Sequence, residues 1–318
     1  MFLVLVFAPL PGAQSILNEK EIKEYQDNPG NIEYGWYHLP SFPNYAPNGL
    51  PDFYQKQSDW RNFCGPAAAA NILWWFDSKH SNQSGIPGDG IDTYPLVRDY
   101  FSFGDPIPGP NYDDHNYNNV NDIETSWENY GSEGEFIERL AGYMNTNWYR
   151  FPKIPFVQIR GTGPIQFTLG LKLWIKNAGL EEYYTVESIL KPSFSLINER
   201  LRNNEGIILW LGYYMPFFPI PRFFSLLFGH CVAVEGINSE GYISLSDPFW
   251  DGSNPSSNPT EHNDAGIVSH DVYEVDFSSP YPDLSSWWIP DFQQYRNALV
   301  YRATIISENR EVKAYLST

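Results

Sequence analysis

Apolar residues cover every side of one predicted helix in the first third of the chain. The segment CGPAAAANILWWFD, residues 64–77, holds four consecutive alanines, several large apolar side chains and Pro66 in its first turn. Proline is favoured in the first turn because its missing N–H would have no intrahelical partner there. A helix that is apolar all round is buried. The pattern therefore predicts a buried central helix that begins at Cys64.

Three further segments have the period of an amphipathic helix, and later segments have the pattern of short strands. The helical segments are 133–145, 165–177 and 195–203, and the strand segments are IILWLGYY, HCVAVEGI, GYISLSDP, SHDVYEVDF and ALVYRATII. Helices followed by strands are typical of an α+β fold. We therefore expect one α+β domain over residues 15–318, with an antiparallel sheet in its second half. A Gly, Asp, Asn and Pro-rich insertion is expected at about 78–131.

The chain begins with a short apolar segment, MFLVLVFAPLPGA, followed by polar residues. Residues 1–14 resemble the end of a secretory signal peptide, which predicts a secreted or extracellular protein. A buried N-terminal strand is the alternative interpretation of the same residues. A segment this short cannot cross a bilayer as a helix.

A second apolar stretch, residues 207–228, has the composition of a membrane span but not its continuity. Pro216, Pro219, Pro221 and Arg222 lie near its centre and interrupt a spanning helix. We expect a strand followed by an aromatic loop, residues 215–228. That loop either packs down or presents an exposed apolar surface to substrate or membrane. The sequence thus predicts no membrane span.

The balance of charge argues against one class of partner. The chain of 318 residues carries 38 Asp and Glu against 20 Lys and Arg, a formal net charge of -18. Such an acidic protein repels phosphate backbones, so nucleic acid is not an expected partner. An aromatic content of 17% argues against disorder. The two cysteines, Cys64 and Cys231, are too few for a disulfide framework.

Cys64 is a candidate nucleophile because it stands immediately at the start of a predicted helix. A thiolate there is stabilised by unpaired backbone N–H groups and by the positive end of the helix dipole, and both lower the thiol pKa. The alternative is a buried structural cysteine, a common role for this residue.

A predicted hairpin brings two further candidates together. His230 opens one strand, and Asp247 ends the next strand after a turn at residues 238–241. The start of one strand lies opposite the end of its antiparallel neighbour, so the two side chains are expected within reach of each other. A carboxylate beside an imidazole fixes its tautomer and stabilises the imidazolium. Strand alternation is expected to point Cys231 to the opposite face from His230, into the core.

These residues carry a resemblance to a known family. CGPAAAANILWWF, a later Gly-His pair and an SDP sequence resemble the papain-like cysteine peptidases, and most closely the branch of bacteriocin-leader (double-glycine) processing peptidases with their secreted relatives. The resemblance covers residues 55–306. It implies a papain-like fold with Cys64 as nucleophile, His230 as general base and acid, and Asp247 as the residue that orients the histidine.

The resemblance also implies a glutamine before the cysteine that helps to stabilise an oxyanion, together with the cysteine backbone N–H. Gln57 is the candidate, although it lies one residue further from Cys64 than in the family. Gln55 and Asn62 are alternatives, and an ordinary surface role for Gln57 is another.

Other polar clusters are weaker candidates for a site. Residues 113–122, DDHNYNNVND, offer carboxylates and amides for calcium but lack the glycine and closing glutamate of an EF-hand, which favours a solvated loop. Two pairs of His and Asp, at residues 262, 264, 270 and 271, could suggest a metal site. Because no further ligand stands at close spacing, we interpret them as ordinary residues of loops and strand edges. The sequence predicts neither a resident metal nor a cofactor.

Three functions remain open on the sequence. The first is a secreted cysteine peptidase that cleaves peptide bonds through a thioester acyl-enzyme. The second is an acyltransferase of transglutaminase type with the same three residues, in which an amine replaces water. The third is a surface binding protein that keeps the fold without catalysis.

Overall fold

The computed structural model of the chain describes residues 32–33, 35–42, 46, 49–53, 55, 62–80, 94, 96–97, 136–148, 161–214, 229–249, 271–293 and 296–309. These residues belong to one compact unit, Asn31–Thr318. The described helices are α1 (Cys64–His80), α2 (Phe136–Tyr143), α3 (Pro164–Asn177) and α4 (Phe194–Arg202). The described strands are β1 (Ile32–Glu33), β2 (Trp36–His38), β3 (Tyr184–Leu190), β4 (Gly206–Tyr214), β5 (Gly229–Asn238), β6 (Tyr242–Ser246), β7 (Asp271–Glu274), β8 (Trp288–Phe292) and β9 (Arg296–Glu308).

The nine described strands form one sheet in which every pairing is antiparallel. The main path runs β1-β2-β5-β4-β9-β3, while β6 pairs with β5 and β7, and β8 pairs with β9. The α+β class and the antiparallel sheet are therefore confirmed. The sheet also includes β1 and β2 from the first part of the chain, and β3 and β8 from the second, none of which the sequence pattern predicted.

Helix α1 forms the centre of the packed structure. Every residue from Gly65 to Ser78 is buried, and the helix packs against β4 and β5 on one side and against α2 on another. Its start at Cys64 agrees with the prediction from Pro66 and the apolar run. The sheet therefore supports the helix end that carries the cysteine.

A buried polar network fixes α1 relative to strand β6. Asn71, fully buried in the middle of α1, accepts a hydrogen bond from the Phe53 N–H at 2.8 Å and donates one to Ser246 Oγ at 2.8 Å. The Ser246 hydroxyl in turn lies 2.7 Å from Asp52 Oδ1. Hydrogen bonds in a dry interior are directional and costly to break. Because Ser246 precedes Asp247, the network sets the distance between the Cys64 helix and the Asp247 strand.

Strands β5 and β6 form the hairpin that the sequence predicts. The turn closes with a hydrogen bond from the Gly241 N–H to the Asn238 carbonyl, 3.2 Å, and Gly241 has φ +98. Glycine suits this position because a Cβ is unfavourable in the left-handed region. The pairing runs from Asn238↔Tyr242 to Ala233↔Ser246 with one bulge on the way. It brings the start of β5 next to the residue after β6.

Candidate active site

Cys64 lies at the N-terminal end of α1, where the first backbone N–H groups of the helix point outward. The residue is partly buried, and Phe63 before it is fully buried. The Phe63 carbonyl accepts the Ala67 N–H at 3.0 Å and closes the first turn. The positive end of the helix dipole therefore lies beside the Cys64 side chain.

Two neighbouring residues of β5, His230 and Cys231, lie close enough to the Cys64 side chain to shift its pKa. The Cys231 thiol lowers the pKa of Cys64 most, burial opposes this, and His230 lowers it further both as a hydrogen-bond donor and as a charge. The net pKa of Cys64 lies well below the usual value of a cysteine. The site therefore favours a thiolate at this position.

His230 connects the thiol to a carboxylate. The imidazole is buried, and its Nε2 lies 2.5 Å from Oδ1 of Asp247, which leaves Nδ1 for the contact with Cys64. Burial by itself lowers the pKa of His230, but the Asp247 carboxylate outweighs it and holds the pKa well above the usual value. An imidazolium beside a thiolate is the charge state that these shifts favour.

Asp247 follows the last residue of β6 and is almost completely buried, with 1% of its surface exposed. Oδ1 accepts the Phe249 N–H at 3.0 Å as well as the His230 ring, and Oδ2 accepts a hydrogen bond from Gln293 Nε2 at 2.7 Å. Burial raises the pKa of Asp247, but the His230 charge and these donors lower it below the usual value. The carboxylate therefore stays ionised in the folded protein.

Gln293 is a site residue that the sequence analysis missed. It lies in the turn between β8 and β9, has φ +53 and is fully buried. Within the described part of the chain, the Oε1 atom of Gln293 has no hydrogen-bond partner, whereas its Nε2 donates to Asp247. No local motif marks this glutamine, because only the β8–β9 pairing brings the turn to Asp247.

Aromatic residues surround the His230 ring. Tyr213 of β4 stacks on it with centroids 6.5 Å apart and an angle of 21°, and Phe292 of β8 lies 6.2 Å away. The Arg296 guanidinium covers the Tyr213 ring at 4.6 Å. These side chains limit the contact of the His230–Asp247 pair with water, and low local dielectric strengthens that pair.

Strand β4 pairs regularly with β5 on one side and, through a β-bulge, with β9 on the other. Trp210 of β4 pairs with Arg302 and Leu211 with Val300, so Tyr301 is the extra residue of β9. On its other side β4 pairs Trp210 with Cys231 and Leu211 with His230. A bulge increases the local twist and changes where neighbouring side chains point. The prediction that Cys231 is buried agrees with its 3% exposure, and its thiol lies close enough to Cys64 to lower the pKa of that residue.

The candidates for the oxyanion position are only partly described. Gln57 lies outside the described residues. The Gln55 N–H donates to the Pro248 carbonyl at 2.7 Å, which places Gln55 next to Asp247, and within the described residues its buried Oε1 has no hydrogen-bond partner. Asn62 has φ +82 two residues before the nucleophile candidate. Of the oxyanion donors that the resemblance implies, the Cys64 backbone N–H is described and lies at the start of α1.

Several other predicted features fall on residues that are not described: 1–14, 113–122, 215–228, His262, Asp264, His270 and most of 78–131. Asp271 begins β7 and accepts a hydrogen bond from the Tyr273 hydroxyl at 3.2 Å. Among the described residues no group of three or more His, Cys, Asp or Glu side chains could hold a metal ion. None of the described helices combines the length and apolar character needed to cross a membrane.

Comparison with known proteins adds no family assignment. No protein-family model matches the chain, and no curated protein matches it at a significant level.

Proposed function

We propose that the protein is a papain-like cysteine hydrolase that cleaves peptide bonds. The observation that carries the proposal is the His230 ring, whose Nε2 lies 2.5 Å from Asp247 Oδ1 and which lowers the pKa of the Cys64 thiol at the start of α1. A nucleophile, a base and an orienting group in this order are the minimum that acyl transfer from an amide requires. The predicted signal peptide supports secretion as part of the same proposal.

In the acylation step, His230 Nδ1 holds the proton of Cys64 and the thiolate attacks the carbonyl carbon of the peptide. The oxyanion of the tetrahedral intermediate accepts a hydrogen bond from the Cys64 N–H at the end of α1. His230 then gives its proton to the leaving amine, the C–N bond breaks and a thioester remains. In deacylation His230 removes a proton from water, and the hydroxide cleaves the thioester to a carboxylic acid and the free thiol.

Labelling with iodoacetamide tests the proposal without knowledge of the natural substrate. We expect one equivalent to alkylate Cys64 at neutral pH, because its lowered pKa and partial exposure favour a reactive thiolate. Cys231 is expected to remain unmodified, since burial raises its pKa well above the usual value. Peptide mapping by mass spectrometry identifies the labelled residue in the wild type, in Cys64→Ala and in Cys231→Ala.

The same preparation separates hydrolysis from transfer. Incubation with a mixed peptide library and an added primary amine is expected to yield new carboxyl termini. Products that carry the amine instead would assign the site to an acyltransferase. Label on Cys231, or on neither cysteine of the folded protein, would contradict the proposal.

Replacement of Gln293 tests whether its side-chain amide positions Asp247. Gln293→Met keeps the volume of the side chain but removes the donor to Oδ2 of Asp247. We expect kcat to fall roughly tenfold, with little change in KM. This is the lower end of the loss found when a hydrogen-bond partner that orients a metal ligand is removed, and Gln293 orients Asp247 in the same way. The pKa of His230 should fall as its carboxylate partner loosens, so the alkaline limb of the pH profile moves to lower pH.

Gln166→Met is the matched control, because it makes the same substitution at a partly exposed residue of α3. It should leave kcat and the pH profile unchanged. A folded Gln293→Met protein with the wild-type rate and pH profile would show that Gln293 does not position Asp247.

A further inference from the structure

A short loop before α3 packs against the chain on both sides of Cys64. The loop consists of residues 161–163. A Cβ added to Gly65 would stand 3.3 Å from the side chain of Thr162. A Cβ added to Gly161 would stand 3.6 Å from the Cβ of Asn62. The loop therefore contacts the residue that follows Cys64 and the residue two positions before it.

One asparagine holds this loop by two hydrogen bonds. The Asn147 N–H donates to the Gly161 carbonyl at 2.8 Å, and the Gly161 N–H donates to Oδ1 of Asn147 at 2.6 Å. Next to this pair, the hydroxyls of Thr146 and Thr162 are hydrogen-bonded at 2.6 Å. Thr146 is buried, with 1% of its surface exposed. Because hydrogen bonds are directional, the reciprocal pair fixes both the distance and the orientation of the loop.

The backbone at these contacts has a conformation that few residues adopt. The φ angles of Asn147, Gly161 and Asn62 are +58, +90 and +82. Glycine and asparagine tolerate positive φ best, and strained backbone of this kind is concentrated at functional sites. Three residues with positive φ therefore meet beside the candidate nucleophile, and the hydrogen bonds of Asn147 connect two of them.

We propose that Asn147 is a positioning residue for the Cys64 nucleophile. Asn147 fixes the loop, and the loop fixes the start of α1, where the thiolate must meet the peptide carbonyl. A misplacement of about 1 Å at the reacting atoms lowers a rate by up to about 100-fold. The catalytic consequence rests on the proposed hydrolase activity, whereas the packing of the loop on α1 does not.

The role of Asn147 concerns the position of Cys64 and not its ionisation. His230 and Cys231, which lower the pKa of Cys64, belong to β5, and the loop belongs to the segment before α3. Loss of the Asn147 contacts should therefore lower the rate of peptide hydrolysis and leave the thiolate in place. A general loss of structure would change both.

Three replacements of Asn147 separate its side-chain bond from its backbone conformation. Asn147→Asp keeps an acceptor for the Gly161 N–H and tolerates positive φ, so kcat for a peptide that the wild type cleaves should stay within about threefold. Asn147→Gly keeps the backbone but removes Oδ1, and kcat should fall about tenfold. Asn147→Ala loses both features, and its kcat should fall further, by up to about 100-fold.

Two readouts distinguish positioning from a general loss of structure. Iodoacetamide is small and needs no fixed geometry, so the pH profile of Cys64 alkylation should be the same in the wild type and in all three variants. Amide hydrogen exchange should become faster at residues 62–67 and 161–167 of Asn147→Gly and Asn147→Ala, because the loop and the start of α1 open together. Exchange in β5 and β6 should not change.

Asn204→Gly is the matched control. Asn204 also has φ +58, and its Oδ1 accepts a hydrogen bond from the Tyr37 hydroxyl at 2.5 Å. It precedes β4, whereas Tyr213, which stacks on His230, lies near the other end of that strand. Asn204→Gly should leave kcat, the alkylation profile and the exchange at residues 62–67 unchanged.

Three results would overturn the inference. The first is a folded Asn147→Gly or Asn147→Ala protein with the wild-type kcat, and the second is unchanged exchange at residues 62–67 in both. The third is a loss of kcat in Asn147→Asp as large as in Asn147→Gly. Faster exchange at residues 62–67 in the variants of a chain that hydrolyses no peptide would refute the proposed activity and support the hold of Asn147 on the start of α1.

Discussion

Replacing Cys64 by alanine is expected to lower kcat/KM for peptide hydrolysis by about 10⁴-fold or more, to the level of the background reaction. The variant keeps the helix end and the His230–Asp247 pair, but it has no atom that can form the thioester. Alanine is a strong helix former and fits a partly buried position, so the fold should be preserved. Release of new amino termini from a peptide library, compared with the wild type at equal concentration, measures the loss.

Cys231→Ala is the matched control for this experiment. It removes a thiol of the same size from the same contact, yet it leaves the proposed nucleophile in place. We expect its activity at neutral pH to remain within about tenfold of the wild type, because Cys64 and the His230–Asp247 pair stay in place and His230 still lowers the pKa of Cys64. A Cys64→Ala protein that keeps most of its activity, or a Cys231→Ala protein that loses as much, would refute the assignment of Cys64 as nucleophile.

Local patterns were sufficient to predict the parts of the molecule that carry the three main site residues. The apolar run after Cys64 and the proline in its first turn predict where α1 begins, because a buried helix needs apolar residues on all sides. The turn at Gly241 predicts the β5–β6 hairpin, and hairpin pairing by itself brings His230 to Asp247. Each of these inferences depends on residues close together in the chain.

The remainder of the site depends on contacts between distant segments and was therefore missed. Gln293 reaches Asp247 only because β8 pairs with β9, and the extra residue Tyr301 exists only relative to the register of β4. Strand alternation predicts Cys231 on the opposite face from His230, whereas both residues lower the pKa of Cys64, an arrangement that depends on how α1 packs against β5. A single sequence contains no signal for register or for bulges of this kind.

The pH dependence of Cys64 alkylation gives the second large expected effect. In the wild type the thiolate is lost only as pH falls through the lowered pKa of Cys64, so the rate with iodoacetamide should reach half its maximum well below the usual range of a cysteine. His230 contributes twice to that shift, as a donor and as a positive charge, and its own raised pKa keeps the charge at neutral pH. His230→Ala removes both contributions.

The half-maximum of the His230→Ala protein should therefore move to higher pH. Each unit by which the pKa of Cys64 rises lowers the thiolate fraction below that pKa about tenfold, so the alkylation rate of the variant should fall by about tenfold or more at pH 6, whereas at pH 10 the two proteins should react at similar rates. Cys231→Ala should also move the half-maximum to higher pH, because the Cys231 thiol is the largest single cause of the lowered pKa of Cys64. Second-order rate constants from pH 4 to pH 10 distinguish these cases. Identical profiles for wild type and His230→Ala would mean that His230 does not hold the Cys64 proton, and the proposed base would then have to be another group.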